Sequence, residues 1–193
     1  MYVRDAKNRD EVWLLDHIEA MGLDETAFRS RDYVIAMDEQ SNERAGFGRI
    51  RIHKPDEGEV CELTSIGVLE DWREQGVGAH VVERLVTTAR DKGFEEVYSL
   101  TSADEYLEQF GFERIEPAQL PDVLRRRLEE KQESLDPGSV PLRIQTDRFR
   151  MPARFRTAFK EAHPEEEETE PTESAEDFGI DPDKATYKYD TGR

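Results

Sequence analysis

Two glycines one residue apart, Gly76 and Gly78, stand in the stretch "WREQGVGAHVVERL", where a helical spacing of Val77, Val81, Val82, Leu85 and Ala89 begins. The start of a helix carries unpaired backbone N–H groups and a partial positive charge, and glycines there let a phosphate approach the amides. Two familiar phosphate loops do not fit. A P-loop needs a Gly-Lys-Ser/Thr ending that is absent, and the dinucleotide fingerprint needs Gly or Ala where Val81 stands. The plainer alternative is that Gly76 only permits a turn before an ordinary helix. His80, in the first turn, could approach a phosphate, but a solvated helix position is the simpler expectation. The four histidines stand far apart and the single cysteine, Cys61, has no partner, so neither a disulfide framework nor a Cys/His zinc site assembles, and no metal is expected. Cys61 alternates with Glu62 along a strand pattern and should point into the core as a small hydrophobe, which argues against a covalent acyl intermediate.

The elements that must position these residues follow from periodicity. "YVRDA" reads as a short strand, and "NRDEVWLLDHIEAMG" as a helix with Val12, Leu15, Ile18 and Met21 on one stripe, stopped by Gly22. "DYVIAMD", "AGFGRIRIHK" and "EVCELTSIGV" form a meander of three strands divided by turn residues. The main helix follows and ends at Lys92-Gly93. Next come the strand "FEEVYSLT", the short helix "ADEYLEQF" and the strand "FERI". Beyond them "QLPDVLRRRLEEKQESL" reads as a polar helix, "VPLRI" as a late strand and "MPARFRTAFKEA" as a last helix. The order is α+β.

Composition sets the frame. The chain has 193 residues, 36% of them hydrophobic, enough for one domain with a real core plus an appendage. A net charge of -18 repels a phosphate backbone and an anionic membrane surface, which argues against nucleic acid and membranes as partners. No apolar run suits a signal or a membrane span, so a soluble protein of the reducing cytoplasm is expected. Arginine outnumbers lysine 20 to 7 beside 45 acids, a balance that resembles proteins of salt-accumulating halophiles. The domain is expected over residues 1–160, with a core at 1–115 and a helix and strand extension at 116–160. Residues 161–193, with "PEEEETEPTESAED", read as an acidic, disordered tail, and two readings of its end stand, free or docked.

The stretch "ELTSIGVLEDWREQGVGAHVVERLVTTARDKGFEEVYSLT", followed by "ADEYLEQFGFERI", resembles the GNAT family of N-acetyltransferases over Tyr2 to about Ile115. The Gln/Arg-x-x-Gly-x-Gly/Ala pattern is met by Arg73, Gly76 and Gly78 after a strand ending Ile66-Gly67-Val68, and the aromatic-Gly-Phe hallmark by Phe110-Gly111-Phe112. The resemblance implies a mixed, mostly antiparallel sheet with splayed central strands, flanked by helices. It implies acetyl-CoA as co-substrate. The backbone from Glu74 through Gln75, Gly76, Val77 and Gly78 to Ala79 would hold the pyrophosphate with Arg73 nearby, and Ile66, Gly67 and Val68 would pair with pantetheine like an added strand.

Direct transfer needs a base for the acceptor's ammonium and an acid for the thiolate. The resemblance makes Glu62, eleven residues before Arg73 on the strand reaching the cleft, the candidate base; a solvated strand carboxylate is the alternative. The family's usual tyrosine falls at Leu107, so the acid is unassigned. Tyr106 is the neighbouring candidate, but one helical step turns a side chain about 100°, which favours a packing or substrate-facing role and leaves the thiolate's proton to solvent. Ser99, Thr101 and Ser102 could bind substrate, or serve only the strand end. Arg143, Arg148, Arg150, Arg154 and Arg156, interleaved with Phe149, Phe155 and Phe159, could receive the acidic tail or an acidic substrate, or be a salted surface. The expected activity is acetylation of a small amine, an amino acid first, similar to the N-acetylglutamate synthase branch. A protein N-acetyltransferase, a non-catalytic acyl-CoA-binding module and a homodimer all remain open.

Overall fold

The computed structural model describes residues 1–165, and the expectations for the tail beyond them lie outside the described residues. A seven-stranded sheet runs through the molecule in the order β1-β2-β3-β4-β5-β7-β6. Strands β1 (Tyr2–Asp5), β2 (Tyr33–Met37), β3 (Arg44–His53) and β4 (Val60–Val68) are successive antiparallel neighbours. Strand β5 (Glu96–Thr101) lies parallel to β4, and β7 (Val140–Gln145) is antiparallel both to β5 and to β6 (Glu113–Arg114). The mixed, mostly antiparallel architecture agrees with the expectation from sequence.

The strands alternate residues between two buried faces. Helix α2 (Val77–Asp91) covers one face with its apolar stripe, and Val34, Ala36, Ile50, Cys61 and Leu63 pack beneath it. Helix α1 (Glu11–Ala20) covers part of the other face over Tyr33, Ile35 and Phe47, and α4 (Asp122–Ser134) covers the rest over Tyr98 and Leu100. The stripe on α1 differs from the one expected. Leu14 and Ile18 are its buried residues, whereas Val12 is 70% exposed; spacings of three and four both fit an apolar helix face, and the docked sheet decides between them.

After residue 115 the chain returns to the sheet: β7 inserts between β5 and β6 and buries Leu142 and Ile144 in the α2 core. Two short helices complete the fold, α3 (Asp104–Glu108) and α5 (Ala153–Glu161). After α5 the chain continues along the α2 entry, where the Glu165 amide donates to the Asp71 carbonyl over 2.9 Å and the His163 amide to Gln75 Oε1 over 2.9 Å.

Candidate functional site

Strands β4 and β5 are paired only at Glu62 with Tyr98 and Leu63 with Ser99, then diverge. The divergence opens a cavity of about 740 Å³ between the ends of the two strands. At the divergence β4 bulges: Ser65 and Ile66 together stand opposite Gly48, and Ser65 takes a left-handed backbone with φ of 52°. The Ser65 hydroxyl donates to the Asp24 carbonyl over 2.6 Å, which ties the bulge to the loop after α1. Beyond the bulge Ile66 and Val68 line the cavity, while Gly67 turns its missing side chain toward Met21 and Phe47 on the far face. Because β5 has left, the backbone of this segment has no strand on that side, an edge able to receive an extended, amide-bearing ligand.

At the cavity's other end lies the loop into α2. Glu74 and Gly76 both have positive φ, 59° and 74°, and Gly76 is the N-cap of the helix. Arg73, Glu74, Gly76, Val77 and Gly78 line the cavity; Gln75 and Ala79 do not, although their amides belong to the same helix entry. The two glycines are needed for different neighbours. A side chain on Gly78 would meet the Tyr106 hydroxyl at 2.9 Å, and one on Gly76 would run into the Phe155 carbonyl of α5. Helix α5 therefore lies against the loop and brings Arg154 and Phe155 to the cavity wall. The Arg154 guanidinium donates to Gln109 Oε1. No pattern in the sequence marked Arg154 out from its neighbouring arginines.

His80 is not the solvated residue expected. It is buried, with Nδ1 2.8 Å from the Gly76 carbonyl and its ring stacked on Phe159 at 3.8 Å, and burial lowers its pKa. Cys61 is buried as expected, and burial pushes its thiol up to about 12. Tyr106 does not turn away: its side chain lines the cavity beside Leu107, packed edge-on to Phe110 and Phe155. Helix α3 is only five residues long and sits where both faces of its single turn meet the cleft. Burial raises the Tyr106 phenol to about 12, so it keeps its proton through the neutral range.

Glu62 is 0% exposed and is absent from the cavity wall. Its Oε2 accepts from Arg127 Nε at 2.8 Å and lies 2.8 Å from His53 Nε2, while Oε1 accepts from Arg127 Nη2 at 2.9 Å. Burial would raise its pKa, but these partners outweigh burial and hold the carboxyl below its ordinary value. Arg127, from α4, also donates to Asp24 Oδ2 over 2.6 Å. Asp24 is the carboxylate of this chain of charges that does line the cavity; burial opposes its ionisation, and hydrogen bonds from Thr26 and Arg127 overcome that. Lys131, one turn along α4 from Arg127, faces the cavity, donates to the Leu100 carbonyl over 2.6 Å and has its pKa lowered by burial. Ser99 and Thr101 line the cavity, and the Ser99 hydroxyl donates to the Leu63 carbonyl over 3.2 Å; Ser102 serves the strand end, its amide donating to Asp136.

The profile of the acetyltransferase (GNAT) family matches residues 3–112. An uncharacterized N-acetyltransferase of Chlorobaculum tepidum is 30% identical over 67 residues, 35% of this chain and 43% of that relative, so the chain spans less than half of the curated relative it matches. Among solved structures, N-acetylglutamate synthase of Neisseria gonorrhoeae, complexed with coenzyme A and N-acetyl-glutamate, has a TM-score of 0.61 at 16% identity, covering 75% of this chain and 34% of that one. A Mycobacterium tuberculosis protein in complex with coenzyme A also has 0.61 at 16%, covering 75% and 99%. Naa50 of Arabidopsis thaliana, in complex with a bisubstrate analogue joining coenzyme A to a peptide, has 0.52 at 13%, covering 74% and 97%.

Proposed function

This chain belongs to the acetyltransferase (GNAT) family, and from that premise we propose that it moves the acetyl group of acetyl-CoA directly to the primary amine of a small molecule, an amino acid first. The observation that carries the reading is a continuous cavity from the α2 entry loop to the divergence of β4 and β5. Its proportions fit a long ligand with phosphates at one end and amides along its arm. The amides of residues 74–79, with Arg73 and Arg154, would hold the pyrophosphate, and the free edge of Ile66–Val68 the pantetheine arm. Acetyl-CoA supplies the activated thioester at the inner end.

At that end the cavity wall carries charges of both signs, Asp24 and Lys131. A carboxylate and an ammonium facing one cavity suit a zwitterion, with its amino group toward Asp24 and its carboxylate toward Lys131, and this supports an amino acid over a simple amine. Asp24 is held too acidic to be a strong base, so it orients the ammonium, and the proton passes to water. Glu62 acts from behind as a positioning residue: it neutralises Arg127, which holds Asp24. The Tyr106 hydroxyl has no protein hydrogen bond among the described residues and is the group that can give a proton to the departing thiolate.

The test is thiol release from acetyl-CoA with free amino acids, simple amines and short peptides as separate arms. The net charge of -18 supports adaptation to high salt, so the assay belongs in molar KCl, where the Debye length is about 3 Å. Turnover with one or a few amino acids is the expected result. Turnover confined to peptides would make the protein an N-terminal acetyltransferase. Tight coenzyme A binding without turnover would make it an acyl-CoA-binding module.

A further inference from the structure

A second cavity, of about 660 Å³, opens on the sheet face that carries α1 and α4, and shares no lining residue with the first. In a protein of net charge -18 it is lined by Arg29, Arg49, Arg51, His53 and Lys54, and by no acidic residue. The concentration follows from the strand period. In "RIRIH" Arg49, Arg51 and His53 alternate with Ile50 and Ile52, so the three cationic types share one face of β3.

The carboxylates nearby already have partners. Asp32 accepts from Arg29 at 2.9 Å and stands 3.7 Å from Arg49 Nη2. Glu59 is 3.6 Å from Lys54. Glu62 is the cross-strand partner of Arg51, yet its oxygens are taken by His53 and Arg127. Arg51 consequently has no ion pair among the described residues, and its Nη1 is buried without a hydrogen-bond partner. Arg49 is 1% exposed; its two Nη atoms donate to the Thr26 and Ala27 carbonyls over 2.7 and 2.6 Å, and its Nε is also buried without a partner. Buried guanidinium donors left without acceptors are costly, and an anion in the cavity would accept from them and give Arg51 a counter-charge.

We propose that the cavity over β3 is a binding site for a small oxyanion, held by Arg51 and the Nε of Arg49 with Lys54 at the rim. Walls from Phe28 and Val123 leave room for the carbon skeleton of an organic acid, while the guanidinium donors suit carboxylate and phosphate oxygens alike.

The experiment titrates citrate and, separately, inorganic phosphate into protein saturated with coenzyme A, so that the α2 loop is already occupied, with calorimetry at constant ionic strength. One saturable site per chain is expected. Tighter citrate binding would identify an organic acid as the natural source, and tighter phosphate binding a phosphate. Arg51→Gln should weaken the better anion by about tenfold or more, and Lys54→Gln, whose side chain is 75% exposed and carries no structural load, by a smaller factor. The anion should also raise the melting temperature of the native protein and not of the Arg51 variant. Absence of saturable binding by either anion, or affinity unchanged in both variants, overturns the proposal.

Discussion

A carboxylate fully enclosed by a histidine and a two-pronged guanidinium has little freedom to collect protons from a substrate. Glu62→Gln would leave the Arg127 charge half-compensated in a buried position, and losing one partner of a buried pair costs about 3–5 kcal/mol. The expected outcome is a lower melting temperature together with a fall in kcat/KM of about tenfold or more at every pH, with coenzyme A affinity kept. A loss that shrinks as pH rises, when more amine arrives deprotonated, would return Glu62 to the role of base. Tyr106→Phe is the companion. It removes a hydroxyl that faces the cleft and leaves the ring packing on Phe110 and Phe155 intact, so folding should be unchanged. Single-turnover rates should drop by about 10²-fold if the phenol protonates the thiolate; an unchanged rate would leave that proton to water.

At the level of elements, α5 decides what the α2 entry loop can tolerate. Substituting Gly76 strains a left-handed residue and drives a side chain into the backbone of α5, so a binding defect in such a variant would not report on phosphate contacts alone. Arg154 separates the two effects, because it reaches the cavity from α5 and its other contacts are with the side chains of Gln109 and Phe155, whose ring lies 4.6 Å from the guanidinium. Arg154→Ala should weaken coenzyme A by about tenfold, the worth of one charge-assisted contact to a phosphate, with the melting temperature nearly constant. Equal affinity by calorimetry would show that α5 only packs on the loop.

At the scale of the whole molecule, three buried carboxylates among the described residues carry lowered pKa values in ion-paired surroundings. Arg4 and the Lys7 amide hold Asp10, Thr26 and Arg127 hold Asp24, and His53 and Arg127 hold Glu62, each against the cost of burial. A carboxyl whose folded pKa lies below its unfolded value stabilises the fold fully above the unfolded pKa, near 4. That stabilisation is lost as pH falls through the folded values. Stability measured by urea denaturation should therefore be flat in this contribution from neutral pH to about 5 and then decline steeply toward pH 2. Neutralising Asp10 with Asn should flatten the acid limb; an unchanged slope would show that Asp10 does not contribute to it.

The order of elements was legible in the chain because most have a clean period, and the α2 stripe survives intact in the structure. The loop at Gly76 and the Phe110-Gly111-Phe112 step were equally legible, since backbone conformation restricts residue type locally. Three things were not. The pairing of β7 with β5, the closure of α5 on Gly76 and the enclosure of Glu62 by Arg127 join residues 39, 79 and 65 positions apart or more, and no local spacing encodes such pairs. Burial and charge neutralisation depend on which faces meet, and for Glu62, Arg51 and Arg154 only the assembled sheet and its helices determine that.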